Sequence, residues 1–177
     1  MSEKDKRFDK KRDNAQLLNL RFVSTTTAGG RKQRYSTLVA TSEEIGNKVF
    51  LGVGTERGDS MKKAMDKSSQ RSKNKKNMVF LKTYKKSIVH DISVKQCGMT
   101  LHLRRAAEGS GMKVGGILRR MLSITGIKDI TGKCHGRSTS PHNMAYALMK
   151  CLRSLETVRE IANRMDTTVE AILKRNF

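Results

Sequence analysis

Apolar residues occur in the first third of the chain as three short blocks, at 17–23, 35–41 and 48–54. The blocks are rich in β-branched and aromatic residues, which favour strands. A polar segment centred on Gly29-Gly30 separates the first two blocks, and a short turn separates the second from the third. The pattern therefore predicts an antiparallel β-β-β meander with a glycine loop, over 25–34, between its first two strands.

A helical pattern follows Gly58-Asp59-Ser60, a sequence that suits a helix start. We expect a helix over 61–77 with a narrow, weakly apolar face toward the sheet. The residues expected on that face are Met61, Ala64, Met65 and Ser68. The rest of this segment is almost wholly cationic, because 62–86 holds ten Lys or Arg and one acid, Asp66.

The second half of the chain alternates predicted strands and helices. Short strands are expected at 79–84 and 88–94 on either side of Lys85-Lys86, and apolar residues alternate with polar ones at 99–104. A further strand is expected at 127–134. The helix predicted before that strand has a core stripe of Val114, Ile117, Leu118, Met121 and Leu122.

The C-terminal third reads as helical. Ser140 is an N-cap, and Pro141 occupies the first helical position, where its missing N–H costs nothing. The expected buried stripe of this helix is Met144, Leu148, Met149 and Leu152. Val158, Ile161, Ala162 and Met165 predict a further helix. Thr167 and Glu170 have the spacing of a capping box for a last short one.

The expected fold class is α+β, with four segments. A charged, disordered tail covers 1–15, and a β-β-β-α domain covers 16–86. A C-terminal α/β domain of two layers covers 87–154, and a helical tail covers 155–177.

Charge adds a class of partner to this fold. Lys and Arg total 37 against 16 Asp and Glu, for a formal net charge of +21. Such a field favours nucleic acid first and an anionic membrane surface second. No apolar run approaches the roughly 18–20 residues that a membrane-spanning helix needs, and 1–13 lacks the apolar centre of a secretory signal. We therefore expect no membrane partner.

Two glycine-rich segments, 106–116 and 131–143, are each expected to open an amphipathic helix. Unpaired N–H groups at a helix start attract anions, and glycine lets a large anion approach the backbone. In so basic a chain the expected anion is nucleic acid phosphate. The spacing from Gly109 is not that of a dinucleotide site, and Gly132-Lys133-Cys134 is not a P-loop.

The residues that could carry catalysis or bind metal form no recognisable set. The cysteines at 97, 134 and 151 make no close pairs, which disfavours a disulfide framework or a zinc site. Neither Cys134-His135 nor Ser138 with His142 has a supporting acid nearby. We therefore expect no enzymatic activity, no cofactor and no bound metal.

A DNA-binding regulator is the strongest alternative. The two helices expected after Thr157 imitate a helix-turn-helix, but the second is cut short at Phe177. Its expected exposed residues, Glu170 and Ala171, are not base readers. A tail packed on the C-terminal domain or on a neighbouring protein is the favoured interpretation.

Several short motifs occur in one order along about 19–173. The most specific are Ala107-Glu108-Gly109-Ser110-Gly111, Gly115-Gly116, Leu118-Arg119, Gly126-Ile127-Lys128-Asp129-Ile130, Gly136 and Ser140-Pro141-His142-Asn143. Those of the N-terminal half are Gly29-Gly30-Arg31, Lys48-Val49, Gly52 and Gly54. In this order and spacing they resemble the S-five family of small-subunit ribosomal proteins, in its bacterial or organellar form.

The resemblance implies an N-terminal domain like those that bind double-stranded RNA, and a C-terminal α/β domain with a left-handed βαβ crossover. It also implies a structural constituent of the small ribosomal subunit, bound to rRNA near the central pseudoknot. The expected neighbours are the proteins numbered three, four and eight. With proteins three and four it would line the path by which mRNA enters and support translational accuracy. No homo-oligomer is expected.

The expected binding residues combine the cationic segments with the glycine motifs. Those expected to contact RNA are Thr27, Gly29, Gly30, Arg31, Lys32, Arg34, Lys62, Lys63, Lys67, Arg71, Lys75, Lys76, Gly109, Ser110, Gly111, Lys113, Lys133 and Arg137. Those expected at a protein interface are Gly109, Gly111, Arg119 and Arg120. The resemblance implies that the first three of these face protein four.

Some positions depart from the family's pattern. Phe50 and Thr55 stand where it prefers Gly and Lys, which leaves phosphate contact by the third strand open, and Ala106 replaces a Pro. The helix from Met61 and its exit look longer and more basic, which predicts added RNA contact or a shifted helix end. This drift favours a mitochondrial ribosome slightly over a bacterial one.

Overall fold

The computed structural model describes residues 14–46, 48–137 and 140–176. Its backbone divides between Phe80 and Leu81 into two compact units, ahead of the domain boundary expected after 86. The expected disordered tail lies outside the described residues, except for Asn14 and Ala15. These two begin the first strand, because that strand pairs with its neighbour as far as Asn14.

The first unit is a four-stranded antiparallel sheet with one helix. Its elements are β1 (Asn14–Thr27), β2 (Gly30–Ile45), β3 (Lys48–Gly58), α1 (Met61–Ser72), a 3-10 turn (Lys75–Asn77) and β4 (Met78–Phe80). The strands lie in the order β1-β2-β3-β4. The predicted meander is confirmed, and β4 is an additional edge strand paired with β3.

The segment expected as a loop at 25–34 is instead the end of a long hairpin. β1 and β2 stay paired as far as Thr27 and Gly30, and only Ala28 and Gly29 form the turn. Three consecutive threonines precede the turn, and β-branched side chains favour extended backbone. The prediction of a loop was therefore wrong.

α1 contacts the sheet mainly with small residues: Ala64 and Ser68 lie on the predicted face, but Met65 is only half-buried. Ala64, Ser68 and Ser72 are fully buried, whereas Met61 is 41% exposed. A Cβ atom on Gly52 or Gly54 of β3 would collide with the backbone of α1 at Ser72 and Ser68. The helix backbone therefore lies directly on β3, and glycine is required there.

Hydroxyl groups satisfy the polar atoms of this close contact. Thr37 Oγ1 lies 2.9 Å from the Ala64 carbonyl oxygen and 2.5 Å from Ser68 Oγ. Thr41 Oγ1 donates to Ser72 Oγ at 2.8 Å. All of these side chains are buried. Such bonds are needed because an unpaired buried hydroxyl is destabilising.

α1 ends at Ser72, five residues before the predicted end. The backbone at Asn74 is extended (φ −65°, ψ 131°), which stops the helix. Asn77 Nδ2 donates to the Arg71 carbonyl at 2.8 Å and so satisfies one of the last helical carbonyls. The basic exit is thus a 3-10 turn and not a continued helix.

The second unit is mixed α and β. Its elements are β5 (Thr83–Tyr84), β6 (Ser87–Ile88), β7 (Ile92–Gln96), β8 (Met99–Arg105), β9 (Met112–Lys113), α2 (Gly116–Ser123), β10 (Ile130–Gly136), α3 (Pro141–Ser154), α4 (Val158–Arg164) and α5 (Val169–Asn176). β5 and β6 form a small hairpin, and the main sheet has the order β7-β8-β10-β9. β9 runs parallel to β10, so β9, α2 and β10 form a βαβ unit. Its handedness stays a prediction.

Several boundaries in this unit differ from the prediction. The strand expected at 79–84 is split, because Phe80 pairs with Phe50 in the first sheet while Thr83 pairs with Ile88. The strand expected at 88–94 is likewise divided between β6 and β7.

Two further boundaries are set by contacts that sequence periodicity does not report. β10 begins at Ile130, because the N–H groups of Lys128 and Asp129 both donate to the Lys86 carbonyl, at 3.0 and 3.3 Å, instead of pairing in the sheet. Val114 is buried as expected but precedes α2.

The core of the second unit lies between α2, α3 and one face of the sheet. The buried side chains of β8 are Met99, Leu101 and Leu103, and those of α2 and α3 include Leu118, Met121, Leu122, Leu148 and Leu152. Ser140 caps α3 by accepting from the Asn143 N–H at 3.4 Å, and Pro141 is its first residue, as predicted.

α4 and α5 pack on their own unit. Ile161, Ala162 and Ile172 form a buried cluster with Val89, with Tyr84 and Val158 packed against it. Met165, expected within this helix, is instead its C-cap and is 55% exposed, because α4 ends at Arg164.

The helix caps of this tail differ from the prediction. The capping box is made by Thr157 and Glu160 at α4. At the start of α5 the hydroxyl of Thr168, and not that of Thr167, accepts from the Ala171 N–H, at 3.4 Å.

Candidate nucleic-acid interface

The tip of the β1–β2 hairpin carries the first group of predicted RNA-binding residues. Thr27 Oγ1 donates to the Gly30 carbonyl at 2.8 Å and closes the turn, and Gly30 has φ +125°, a value that favours glycine. Arg31 and Lys32 are exposed and point to opposite faces of β2. Arg34 forms an ion pair with Asp59, with 3.3 Å between Nε and Oδ1. The hairpin thus presents cations on both faces.

An aromatic pair, of which Phe22 is exposed and Tyr35 half-buried, lies beside these cations and was not predicted from the sequence. Phe22 and Tyr35 are directly opposite each other on β1 and β2, with ring centroids 5.3 Å apart in an edge-to-face arrangement. Phe22 is 55% exposed. The sequence does not reveal this pair, because aromatic residues in a predicted strand are ordinarily assigned to the buried core. Exposed rings of this kind can stack on nucleic acid bases.

The second group forms a line of exposed cations, which we call the basic ridge. It consists of Lys62, Lys63, Lys67, Arg71, Lys75 and Lys76. Lys63, Lys67 and Arg71 are spaced four residues apart on α1, and like charges at this spacing destabilise a helix. A bound polyanion would remove that repulsion.

The C-terminal end of the basic ridge encloses an open groove of about 920 Å³. Its lining residues are Glu56, Lys67, Gln70, Arg71, Asn74, Lys75, Lys76 and Asn77. Glu56 forms an ion pair with Arg71. Because this carboxylate faces four cations, the groove keeps a strong positive charge.

Phe50, one of the departures from the family's pattern, has a packing role. Its ring lies 5.6 Å from that of Phe80 across the β3–β4 pair, and Lys48 Nζ lies 5.9 Å from the Phe80 centroid. The aromatic pair therefore holds β4 against β3.

Only the end of the first glycine-rich segment opens a helix: Gly115 is the N-cap of α2 and Gly116 is its first residue, as predicted. Gly109 and Gly111 have φ values of +81° and +73° in a turn between β8 and β9. Ser110 bonds to the Ala107 carbonyl through both its N–H, at 3.2 Å, and its hydroxyl, at 2.7 Å. The Gly111 N–H donates to Asp129 Oδ1 at 2.8 Å. This N–H therefore already has an anionic partner, while Gly109 and Ser110 are exposed.

The second glycine-rich segment is mostly strand, because β10 continues to Gly136. A Cβ atom at Gly136 would lie 2.5 Å from the Gly98 carbonyl oxygen, so close strand approach accounts for this glycine. Lys133 on β10 and Lys113 on β9 are exposed, as is Arg137. Ser138 and Thr139 lie outside the described residues.

Arg119 and Arg120, the remaining residues of the predicted protein interface, are exposed on α2. They share this helix with the buried stripe of Leu118, Met121 and Leu122, so they lie on its solvent side. Their predicted role at an interface stays a prediction.

The cysteines are free thiols in distinct environments. Cys97 is exposed, Cys134 half-buried and Cys151 buried. Burial raises the pKa of the Cys134 thiol, and it raises the pKa of Cys151 to about 12 with a smaller contribution from the nearby Cys134. Within the described residues, His, Cys, Asp and Glu side chains form no group of three that could hold a metal ion. No helix in these ranges has the length and apolarity to cross a membrane.

The favoured interpretation of the C-terminal helices, a tail packed on its own domain, is confirmed. The buried side chains of α4 and α5 pack on Val89. Glu160 accepts from Lys82 at 2.8 Å and from the Thr157 N–H at 2.8 Å, and these bonds, that from Lys82 first, lower the pKa of its carboxyl. The tail is thereby attached to the body of its own unit.

Comparison with known proteins points to one family. Residues 94–165 match the family described as ribosomal protein S5, C-terminal domain. The chain is 31% identical over 157 residues to the small ribosomal subunit protein uS5 of Wolbachia pipientis wMel, covering 89% of each chain. It is 30% identical over 169 residues to that of the Wolbachia of Brugia malayi, covering 95% and 96%. It is 35% identical over 159 residues to that of Fusobacterium nucleatum, covering 89% and 92%.

Proposed function

The chain belongs to the uS5 family of small ribosomal subunit proteins, and from this premise we propose that its β1–β2 hairpin and basic ridge bind the rRNA of that subunit. Its role is structural and not enzymatic. The relatives are constituents of the small ribosomal subunit by name, and this chain matches them over nearly its whole length.

The basic ridge is the observation that carries the proposal. Six exposed cations follow α1 and its 3-10 exit. Four of them, together with Glu56, line a groove of about 920 Å³. Folded RNA is recognised by shape and by contacts to phosphates and 2′-hydroxyls. A line of cations flanked by a basic hairpin provides those contacts without reading bases.

The finer roles implied by the resemblance belong to the same proposal. They are contact with rRNA near the central pseudoknot, contact with the proteins numbered three, four and eight, and a part in the mRNA path and in accuracy. Exposure of Arg119, Arg120 and Gly109 supports a protein contact there. A mitochondrial location rests on the departures at Phe50, Thr55 and Ala106, while the relatives named above are bacterial.

The basic ridge predicts how RNA binding responds to salt. Lys67→Gln/Lys75→Gln removes two cations from the groove, so the log–log salt slope for a folded fragment of small-subunit rRNA should fall by about 1.4–1.8. Filter binding over a series of salt concentrations measures this slope.

The control Lys128→Gln/Arg159→Gln removes two exposed charges from the second unit and should leave the slope unchanged. Equal slopes for the ridge variant and the wild-type protein would refute the proposal that the basic ridge binds rRNA. A preference for duplex DNA over folded RNA of equal length would instead favour the DNA-binding alternative.

A further inference from the structure

Within the part of the second unit that the structure describes, no helix packs on one face of the main sheet. The side chains of Met99, Leu101 and Leu103 point toward the helical layer and are buried. Because strand residues alternate between faces, their neighbours point the opposite way. Register places the opposite-pointing residues of β7, β8 and β10 side by side. We call this set the open face; it consists of Ser93, Lys95, Thr100, His102, Arg104, Thr131, Lys133 and His135.

The open face is positively charged. Lys95, Arg104 and Lys133 are exposed on three adjacent strands. Lys113 on β9 is paired with Thr131 and extends the same row. None of the residues that compose the face is acidic. A surface with this charge attracts an extended polyanion.

Two histidine rings lie at the centre of the open face. His102 and His135 have ring centroids 5.4 Å apart and an interplanar angle of 72°. Ser93 Oγ lies 2.7 Å from His102 Nδ1, and Ser93 is the direct strand partner of His102. This bond fixes the His102 ring, so the pair is held in place before any ligand arrives.

We propose that the open face binds single-stranded RNA, with a base stacked on the histidine pair and the flanking phosphates on Arg104, Lys95 and Lys133. Bases of single-stranded RNA stack on aromatic side chains, histidine included, and on Arg guanidinium planes. The strand spacing of about 4.8 Å places the cations of neighbouring strands around the rings. The inference does not depend on the basic ridge, which lies in the first unit.

The chemistry of the open face favours a single strand over the other occupants. A duplex keeps its bases stacked on one another, so the rings would have no base to contact. A protein partner normally requires aromatic or aliphatic anchors at the centre of its interface. The aliphatic side chains of β8 point to the helical layer and are buried there.

The test is photo-crosslinking of the full chain to a short 4-thiouridine oligonucleotide, with folded RNA in excess to occupy the basic ridge. We expect crosslinked peptides from β8 and β10. His135→Ala should weaken binding of the oligonucleotide about tenfold through loss of stacking, and His135→Phe should restore it. An abasic oligonucleotide of the same length should bind the wild-type protein as weakly as the normal one binds His135→Ala.

Charge is tested separately with Arg104→Gln/Lys133→Gln. The salt slope for the oligonucleotide should fall by about 1.4, because each phosphate contact to a single strand contributes about 0.7. The control Lys128→Gln/Arg159→Gln removes the same number of charges outside the open face and should not change the salt slope. The ridge variant Lys67→Gln/Lys75→Gln should still crosslink through β8 and β10. This result would support the open face whether or not the same variant shows that the basic ridge binds folded RNA.

Three results would overturn the proposal. The crosslinks could fall only in the first unit, His135→Phe could bind as weakly as His135→Ala, or folded RNA in excess could abolish all crosslinking to the second unit. The last result would assign the open face to duplex RNA.

Discussion

Single glycines of β3 decide how close α1 lies to the sheet. At Gly54 the space for a side chain is taken by the Ser68 carbonyl and the Ser72 N–H of α1. At Gly29, in the hairpin turn, nothing lies within 4 Å of the added carbon. The same residue type therefore has a packing role at one position and a turn role at the other.

A prediction about stability follows from this difference. Gly54→Ala should lower the free energy of unfolding by about 3 kcal/mol, because the new methyl group forces α1 away from β3. Urea denaturation measures the change. Gly29→Ala, made in open space, should shift the stability by less than about 0.5 kcal/mol. Equal effects of the two substitutions would show that α1 does not lie as close to β3 as described.

The three thiols should differ in reactivity. The thiolate is the reactive form, and burial with a pKa of about 12 keeps Cys151 protonated at neutral pH. Cys97 is exposed in the turn between β7 and β8. We expect Ellman's reagent to label Cys97 first, Cys134 slowly and Cys151 only after unfolding. Rapid labelling of the Cys97→Ser variant would contradict this order.

At the scale of elements, strands were easier to predict than their ends. β8 and α3 follow strict periodicity and match the prediction closely. The hairpin tip and the α1 exit do not, because strand pairing and the Asn77–Arg71 bond decide them. The open face was not predicted, because the His102–His135 contact depends on the register of β8 against β10, which the sequence alone does not give.

The β5–β6 hairpin contains a local conflict between sequence and backbone. Lys85 and Lys86 form its turn with φ values of +46° and +63°. Two positive φ values are typical of a type I′ turn, where Asn-Gly is preferred. Lysine, like other residues with a Cβ atom, is strained at positive φ.

Replacing these two lysines should therefore stabilise the second unit. Lys85→Asn/Lys86→Gly should raise the free energy of unfolding by about 1 kcal/mol. Lys85→Gln/Lys86→Gln removes the same charges without supplying turn residues and serves as the matched control. Denaturant midpoints report both. The turn account fails if the glutamine variant gains as much as the Asn-Gly variant.

At the scale of the whole molecule, net charge and motif order were the reliable signals. A charge of +21 pointed to a polyanion, and the ordered glycine and helix-start motifs pointed to the uS5 family, which the relatives confirm. The first glycine segment opens α2 as predicted, but only through Gly115 and Gly116, because β9 separates Gly109 and Gly111 from that helix. The RNA-contact residues themselves stay predictions.

Sedimentation of the native chain tests the central claim most directly. Lysate of the source cells is separated on a sucrose gradient at moderate salt, and the chain is followed with an antibody. As a constituent of the small subunit, it should travel with small-subunit particles and with whole ribosomes. Chelation of Mg²⁺, which separates the subunits, should leave it with the small one. A chain that stays at the top of the gradient, or that travels with DNA, would contradict the account.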